Sequence, residues 1–294
     1  MTTTSYNCSD RERRAEGLAH AQRAIAAKQC VVMPTDTVYG IAADAFSAQA
    51  VATLLAAKGR GRSMPPPVLI PRLQTMDGLA ADIPEAGRRL AEKFWPGPLT
   101  LIFHAQPSLT WDLGDTHGTV ALRIPDDEIA QALLTITGPL AVSSANRTGH
   151  KAAQTAAEAQ EQLAESVEVY LDGGYRPVDG SAEGVPSTIV DCTGERLRVV
   201  RQGGVSLEAL REIVPEVLGL GEEPVPEPAA EPGIAVAPEA EPVPAPEAEP
   251  EVAVAPGAEP VPARPAREPE VANPEALETG QETTAGAAAE QPRD

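Results

Sequence analysis

The chain has 294 residues, 42% hydrophobic but only 3% aromatic, and a formal net charge of −20. No apolar run approaches the ~18 residues that cross a membrane, and the polar start Ser9-Asp-Arg-Glu-Arg-Arg14 is unlike a secretory leader. Cys8, Cys30 and Cys192 have neither disulfide nor metal-ligand spacing, which fits a reducing, cytoplasmic setting.

Residues 11–27 carry Leu18, Ala21, Ile25 and Ala26 at the spacing of an amphipathic helix. Cys30-Val-Val-Met33 reads as a short buried strand stopped by Pro34. Ser47 caps a helix with Val51, Leu54 and Leu55 inward, and Gly59 ends it. Val68-Leu-Ile70 reads as a strand, residues 84–94 as a helix, and Trp95-Pro-Gly-Pro98 as a stiff turn into a strand over 99–103. Strands follow at 119–124 and 140–142, with a helix carrying Ile129, Leu133 and Leu134 between them. A helix over 155–163, a strand over 167–171, a hairpin pairing 187–191 with 197–201, and a last helix capped by Ser206 complete the pattern. Interleaved strands and helices predict an α/β fold with an open, mixed sheet flanked by helices, over residues 11–220.

The remaining residues, 221–294, hold 16 prolines and 17 acidic residues against 3 basic ones, a net −14. All nine aromatic residues precede them, and because this segment carries −14 of the net −20, the low pI describes it and not the rest. Ala235-Val-Ala-Pro238 recurs at 253–256 and Glu241-Pro-Val-Pro244 at 259–262, a period of 18 residues. Frequent proline removes backbone donors and no bulky side chain is present to fill a core. The repeat therefore predicts an extended, disordered Pro/Ala/Glu-rich tail and not a solenoid.

Three polar clusters carry the chemistry. Pro34-Thr-Asp-Thr-Val-Tyr-Gly40 leaves a strand end, where open α/β sheets place ligands. Lys58-Gly-Arg-Gly-Arg62 closes a helix, and its glycines free the backbone for guanidinium groups and amides to wrap phosphates. Ser143-Ser-Ala-Asn146 leaves another strand end with hydroxyl and amide groups. No Walker A or Gly-x-Gly-x-x-Gly spacing is present, and His20, His104, His117 and His150 sit in dissimilar contexts without a Ser-His-Asp arrangement. Each cluster alone is compatible with an ordinary turn, helix end or loop. Their combination points to an anion and nucleotide site. A double-stranded RNA or tRNA-binding module without enzymatic activity is the competing reading, and its mark would be affinity falling steeply with salt.

Taken together these runs resemble the YrdC-type L-threonylcarbamoyladenylate synthases. The resemblance spans about residues 15–214 and rests on seven motifs in order. They are Pro34 to Gly40, Ala57-Lys-Gly-Arg60, Phe94 to Thr100, Thr119 to Pro125, Ser144-Ala-Asn146, Ser187-Thr-Ile-Val190 and the closing Arg201. It implies a YrdC-like twisted open sheet and the formation of threonylcarbamoyl-AMP and pyrophosphate from L-threonine, bicarbonate and ATP. The product serves threonylcarbamoyladenosine modification of tRNA beside the anticodon. By the same resemblance Thr35, Arg123 and Ser187 hold L-threonine. Lys58, Arg60, Thr119, Ser144, Asn146 and Arg201 hold ATP, with Lys58 and Arg60 stabilising its phosphates. Mg2+ is expected with ATP and no protein metal site. The downstream partner is tRNA-modifying transferase machinery, tRNA contact is an option, and no membrane is involved. The chain departs from the family pattern at Gly61, at Leu69 or Ile70 (where many members carry histidine), at Pro186 and at Gln202.

Overall fold

The computed structural model describes residues 3–178 and 184–223, and all of their strands join one sheet. The strands are β1 (Thr4–Asn7), β2 (Val31–Met33), β3 (Gly40–Asp44), β4 (Val68–Leu69), β5 (Ala80–Ala81) and β6 (Leu99–Ala105). They continue with β7 (Thr119–Arg123), β8 (Leu140–Ser144), β9 (Val169–Asp172), β10 (Thr188–Asp191) and β11 (Arg198–Arg201). They lie in the order β1-β9-β2-β3-β8-β4-β7-β6-β10-β11, with β5 on β6. Parallel pairs (β1 with β9, β2 with β9, β4 with β7, β10 with β6) are mixed with antiparallel ones (β2 with β3, β3 with β8, β4 with β8, β6 with β7, β10 with β11). The sheet is mixed and open, as the pattern predicts.

The helices are α1 (Arg11–Ala26), α2 (Ala48–Ala57), α3 (Gln74–Leu79), α4 (Glu85–Phe94), α5 (Glu128–Thr137), α6 (Ala156–Leu163) and α7 (Leu207–Ile213). Their starts follow local chemistry. Asp10, Ser47, Asp127, Thr155 and Ser206 each accept a hydrogen bond from an otherwise orphaned amide of the first turn.

Two apolar clusters occupy the two sheet faces. One gathers Leu54, Leu90, Leu101, Phe103, Val120, Leu122 and Val190 with the inner sides of α2, α4, α6 and α7. The other packs α1 and α5 over β9, β2, β3 and β8 and reaches only as far as Leu69 and Val142. Side chains alternate along a strand. With Val120 and Leu122 in the first cluster, Thr119, Ala121 and Arg123 of β7 face the second side. So do Thr100 and Ile102 of β6 and Ile189 of β10. Beyond Leu69 that side carries hydroxyls, a guanidinium and half-buried apolar groups, and it forms the floor of the site.

Some elements escape the sequence pattern. Strand β1 lies ahead of residue 11, where the pattern starts the domain. Its Thr-Ser-Tyr-Asn sequence has no apolar alternation, and it is held by parallel pairing with β9 and by Tyr6 against Gly17, where an added Cβ would lie 2.8 Å from Tyr6 Cβ. Strand β3 is Gly-Ile-Ala-Ala-Asp, weak in intrinsic β preference, yet it pairs on both sides. Helix α3 and strand β5 are too short to leave a period. At the other end, Leu218 bridges to Arg198, and Glu222 accepts from the backbone amide of Gly219 and pairs with Arg211. Contacts therefore run two residues past Leu220. The proposed tail lies outside the described residues from 224 onward. Among the described residues no helix is long and apolar enough to cross a membrane.

Candidate active site

A cavity of about 310 Å³ opens over this uncovered part of the sheet. Thr35, Thr37 and Gly40 form one wall, Arg60, Ser143 and Ser144 a second, and Pro186, Ser187 and Arg201 a third. Leu69, Thr100, Arg123, Val142 and Ile189 make the floor. Residues far apart in sequence, from Thr35 to Arg201, meet here because β2, β4, β7, β8, β10 and β11 all begin or end around it.

The Pro34–Gly40 loop folds on its own hydroxyls. Thr35 Oγ1 donates to Val38 O at 2.6 Å, accepts from the Val38 amide, and lies 3.0 Å from Thr37 Oγ1. Gly40 is needed for close approach, since a Cβ there would lie 2.7 Å from Val142 Cγ1. Arg123, at the end of β7, is buried and fully oriented. Nε donates to Gly97 O at 3.0 Å, Nη1 to Thr37 Oγ1 at 3.2 Å, and Nη2 to Asp36 Oδ1 at 2.5 Å. The Trp95–Pro98 turn helps to orient this side chain, because Gly97 bonds to Ile124 O through its amide and to Arg123 through its carbonyl.

Lys58 corrects an expectation. The helix end suggests an exposed cation, but Lys58 is 1% exposed. Its Nζ donates to the carbonyl oxygens of Ser144 and of Asn146, the latter at 2.7 Å, and it does not line the cavity. Asn146 is likewise buried, with Nδ2 donating to Arg147 O and His150 O at 2.8 Å each. Lys58 and Asn146 fix the loop that carries Ser144. Arg60 does reach the cavity, with Nη1 donating to Ser143 Oγ at 3.2 Å and Nε buried without a protein partner.

On the third wall, Arg201 clasps Ser187, donating through Nε and Nη2 to Ser187 O at 3.0 and 2.8 Å and through Nη2 to Ser187 Oγ at 3.0 Å. Thr100 Oγ1 lies 2.8 Å from the same hydroxyl. Gly203 lets this segment close, because a Cβ there would stand 2.2 Å from Pro186 O. Thr119 stands on the same sheet face as Arg123 but outside the cavity wall, four residues or about 13 Å along the strand. Val68 pairs with both Ala141 and Leu122, so extending that register puts Thr119 level with Ser144.

The electrostatics are one-sided. Three guanidinium groups, Arg60, Arg123 and Arg201, meet the cavity, and no carboxylate lines it among the described residues. Burial lowers the pKa of Arg60, and burial followed by the Arg123 charge lowers that of Arg201. Burial and then Arg60 bring Lys58 down to about 8. Cations that disfavour each other in a partly enclosed space make a receptor for an anion. Thiol chemistry is elsewhere: burial pushes Cys8 up to about 11 and Cys30 to about 12. His20 sits between Tyr6 and Glu168 by α1, away from the cavity.

The structure thus brings together Thr35, Arg60, Arg123, Ser144, Ser187 and Arg201, and sets Lys58 and Asn146 behind them. Thr37, Thr100 and Gly203 are additions. Of these Thr37 and Thr100 carried a sequence signal, by lying in the Pro34–Gly40 and Phe94–Thr100 runs, and Gly203 carried none. At the departures, Leu69 and Pro186 line the cavity and Ile70 is core, while Gly61 lies outside it. Gln202 turns its amide to Val205 O at 2.7 Å.

The Sua5/YciO/YrdC family model, described as telomere recombination, matches residues 23–203. The chain is 50% identical over 212 residues to a putative threonylcarbamoyl-AMP synthase of Mycobacterium tuberculosis, covering 72% of this chain and 95% of that one. It is 35% identical over 188 residues to the threonylcarbamoyl-AMP synthase of Pyrococcus abyssi, covering 64% and 54%. The crystal structure of P. abyssi Sua5 complexed with L-threonine superposes with a TM-score of 0.68 at 31% identity, over 74% of this chain and 62% of that one. Fold, motif order and sequence agree, and the chain belongs to the Sua5/YciO/YrdC family.

Proposed function

We propose that this protein is a threonylcarbamoyl-AMP synthase, making threonylcarbamoyl-AMP and pyrophosphate from L-threonine, bicarbonate and ATP for tRNA modification. The observation that carries this reading is the convergence of Arg60, Arg123 and Arg201 with the hydroxyls of Thr35, Thr100, Ser144 and Ser187 on one cavity. Relatives named for this activity support it over most of the described residues.

Arg123 takes the carboxylate of threonine, and Thr35 and Ser187 face its polar groups. ATP lies along the open sheet face from the Arg60–Ser144 wall toward Thr119, with Arg60 and Arg201 on its phosphates. Lys58 and Asn146 hold the Ser144 loop and act on ATP through it. The threonine amine captures CO2 derived from bicarbonate as an N-carboxylate. One oxygen of that group bonds the α-phosphorus while the bond to pyrophosphate breaks. An ionised carboxylate attacks without a general base, so catalysis is positional and electrostatic. With no carboxylate on the described walls to ligate a cation, Mg2+ enters on the phosphate oxygens of ATP as part of the substrate.

The test is pyrophosphate release. It should require ATP, bicarbonate and L-threonine together, and formation of threonylcarbamoyl-AMP should match it mole for mole. Nucleotide binding without that three-way requirement would refute the synthase reading.

A further inference from the structure

Asp36 is the one residue of the Pro34–Gly40 loop whose charge the reaction scheme leaves unused. It is largely buried, at 13% side-chain exposure, against 8% for the partner Arg123. Oδ1 accepts from Arg123 Nη2 at 2.5 Å and from the Asp126 amide at 3.1 Å, whereas Oδ2 is buried with no protein partner. A buried carboxylate with one oxygen unsatisfied is a poor structural choice, since an apolar or neutral group would avoid the desolvation cost. Its geometry gives it a different use. A guanidinium has five N–H donors. Gly97 O, Thr37 Oγ1 and Asp36 Oδ1 occupy three of those of Arg123, one on each nitrogen. One N–H remains on each terminal nitrogen, the number a carboxylate fork takes.

We propose that Asp36 is a positioning residue for the amino-acid substrate. It locks Arg123 in the rotamer that offers its two remaining N–H groups to the substrate carboxylate. This role rests on the reading of Arg123 as the carboxylate-binding group. It also has a sign opposite to that of simple electrostatics. Were Asp36 only a nearby negative charge, its removal would make the cavity more positive and tighten an anionic ligand. A positioning role predicts that removal weakens it.

The experiment is calorimetric binding of L-threonine and of L-threoninamide, which lacks the carboxylate charge, to the full chain and its variants without ATP. The unsubstituted protein should prefer threonine over the amide, and Arg123→Ala should abolish that preference. Asp36→Ala should weaken threonine by about tenfold or more, the scale of a charged hydrogen bond, while amide binding changes little. Asp36→Asn, which keeps an acceptor oxygen and is the milder change for folding, should fall between. In turnover the loss should appear in KM for threonine with KM for ATP nearly unchanged. Tighter or unaltered threonine binding in folded Asp36→Ala or Asp36→Asn, with Arg123→Ala still losing the preference, would overturn the role of Asp36 alone. A protein whose threonine preference survives Arg123→Ala would overturn the carboxylate assignment and this role with it.

Discussion

Lys58 Nζ donates to the carbonyl oxygen of Asn146 at 2.7 Å, joining the end of α2 to the loop beyond β8 across 88 residues of sequence. The ammonium also serves Ser144 O, so a single buried charge sets the height of the loop that walls the cavity. Lys58→Met keeps the volume and removes the donor. Two carbonyls lose their partner, and stability should fall by about 1–3 kcal/mol in denaturant unfolding, with a raised KM for ATP. A variant as stable and as active as the parent would show that the loop stands without this tie.

The same lysine predicts a pH dependence. Burial and Arg60 bring its pKa down to about 8 from an ordinary 10.5. Between these values the unfolded chain binds the extra proton, so this group makes stability rise, not fall, with pH. In the folded protein the positive charge behind the Arg60–Ser144 wall is lost as pH passes about 8, while the neutral amine keeps two N–H donors for its two carbonyls. Affinity for ATP should therefore weaken from about one unit below that value to about one unit above it, while thermal unfolding shows no matching loss. Lys58→Arg, which stays charged, should flatten the binding profile.

Arg60 is expected to act on the phosphates directly. Its Nε has no protein partner and its Nη1 makes one long contact, so removal should cost the fold little. Arg60→Ala should depress kcat/KM for ATP by about 10–100-fold, the scale of a lost charged hydrogen bond, with melting unchanged. Unaltered steady-state kinetics in the folded variant would remove Arg60 from the site.

Selectivity for threonine over serine depends on one methyl group. Leu69 and Val142 are the apolar floor beside Arg123. A difference of this size is worth about 1–3 kcal/mol, so serine should be used, but about 5–150-fold less efficiently. Leu69→Ala should narrow the ratio of kcat/KM values. Equal use of both amino acids by the parent would place the side chain against some other wall.

Residues beyond 223 should be dispensable for catalysis. Glu222 ties back to Arg198 through its carbonyl and to Arg211 and Gly219 through its carboxylate. A chain cut after Glu223 should therefore melt and turn over like the full protein. A cut after Leu220 should lower the melting temperature slightly and leave activity in place. Loss of activity with unchanged melting in the chain cut after Glu223 would assign the acidic segment a part in the reaction.

Sequence by itself determined the elements with a strong local cause. Amphipathic α1, α5 and the capped α2 and α7 were legible because side-chain period and a capping oxygen act within a few residues. The β10–β11 hairpin and the three polar clusters at strand ends were legible for the same reason. Tertiary structure alone decided which part of the sheet the described helices leave uncovered, because that depends on α1 and α5 covering only the β1-to-β8 side. It also decided that Lys58 turns inward to Ser144 and Asn146 while Arg60, two residues on, turns to the cavity. Period and capping do not distinguish those two cations. Desolvation and the carbonyls available within reach do, and both come from segments far along the chain.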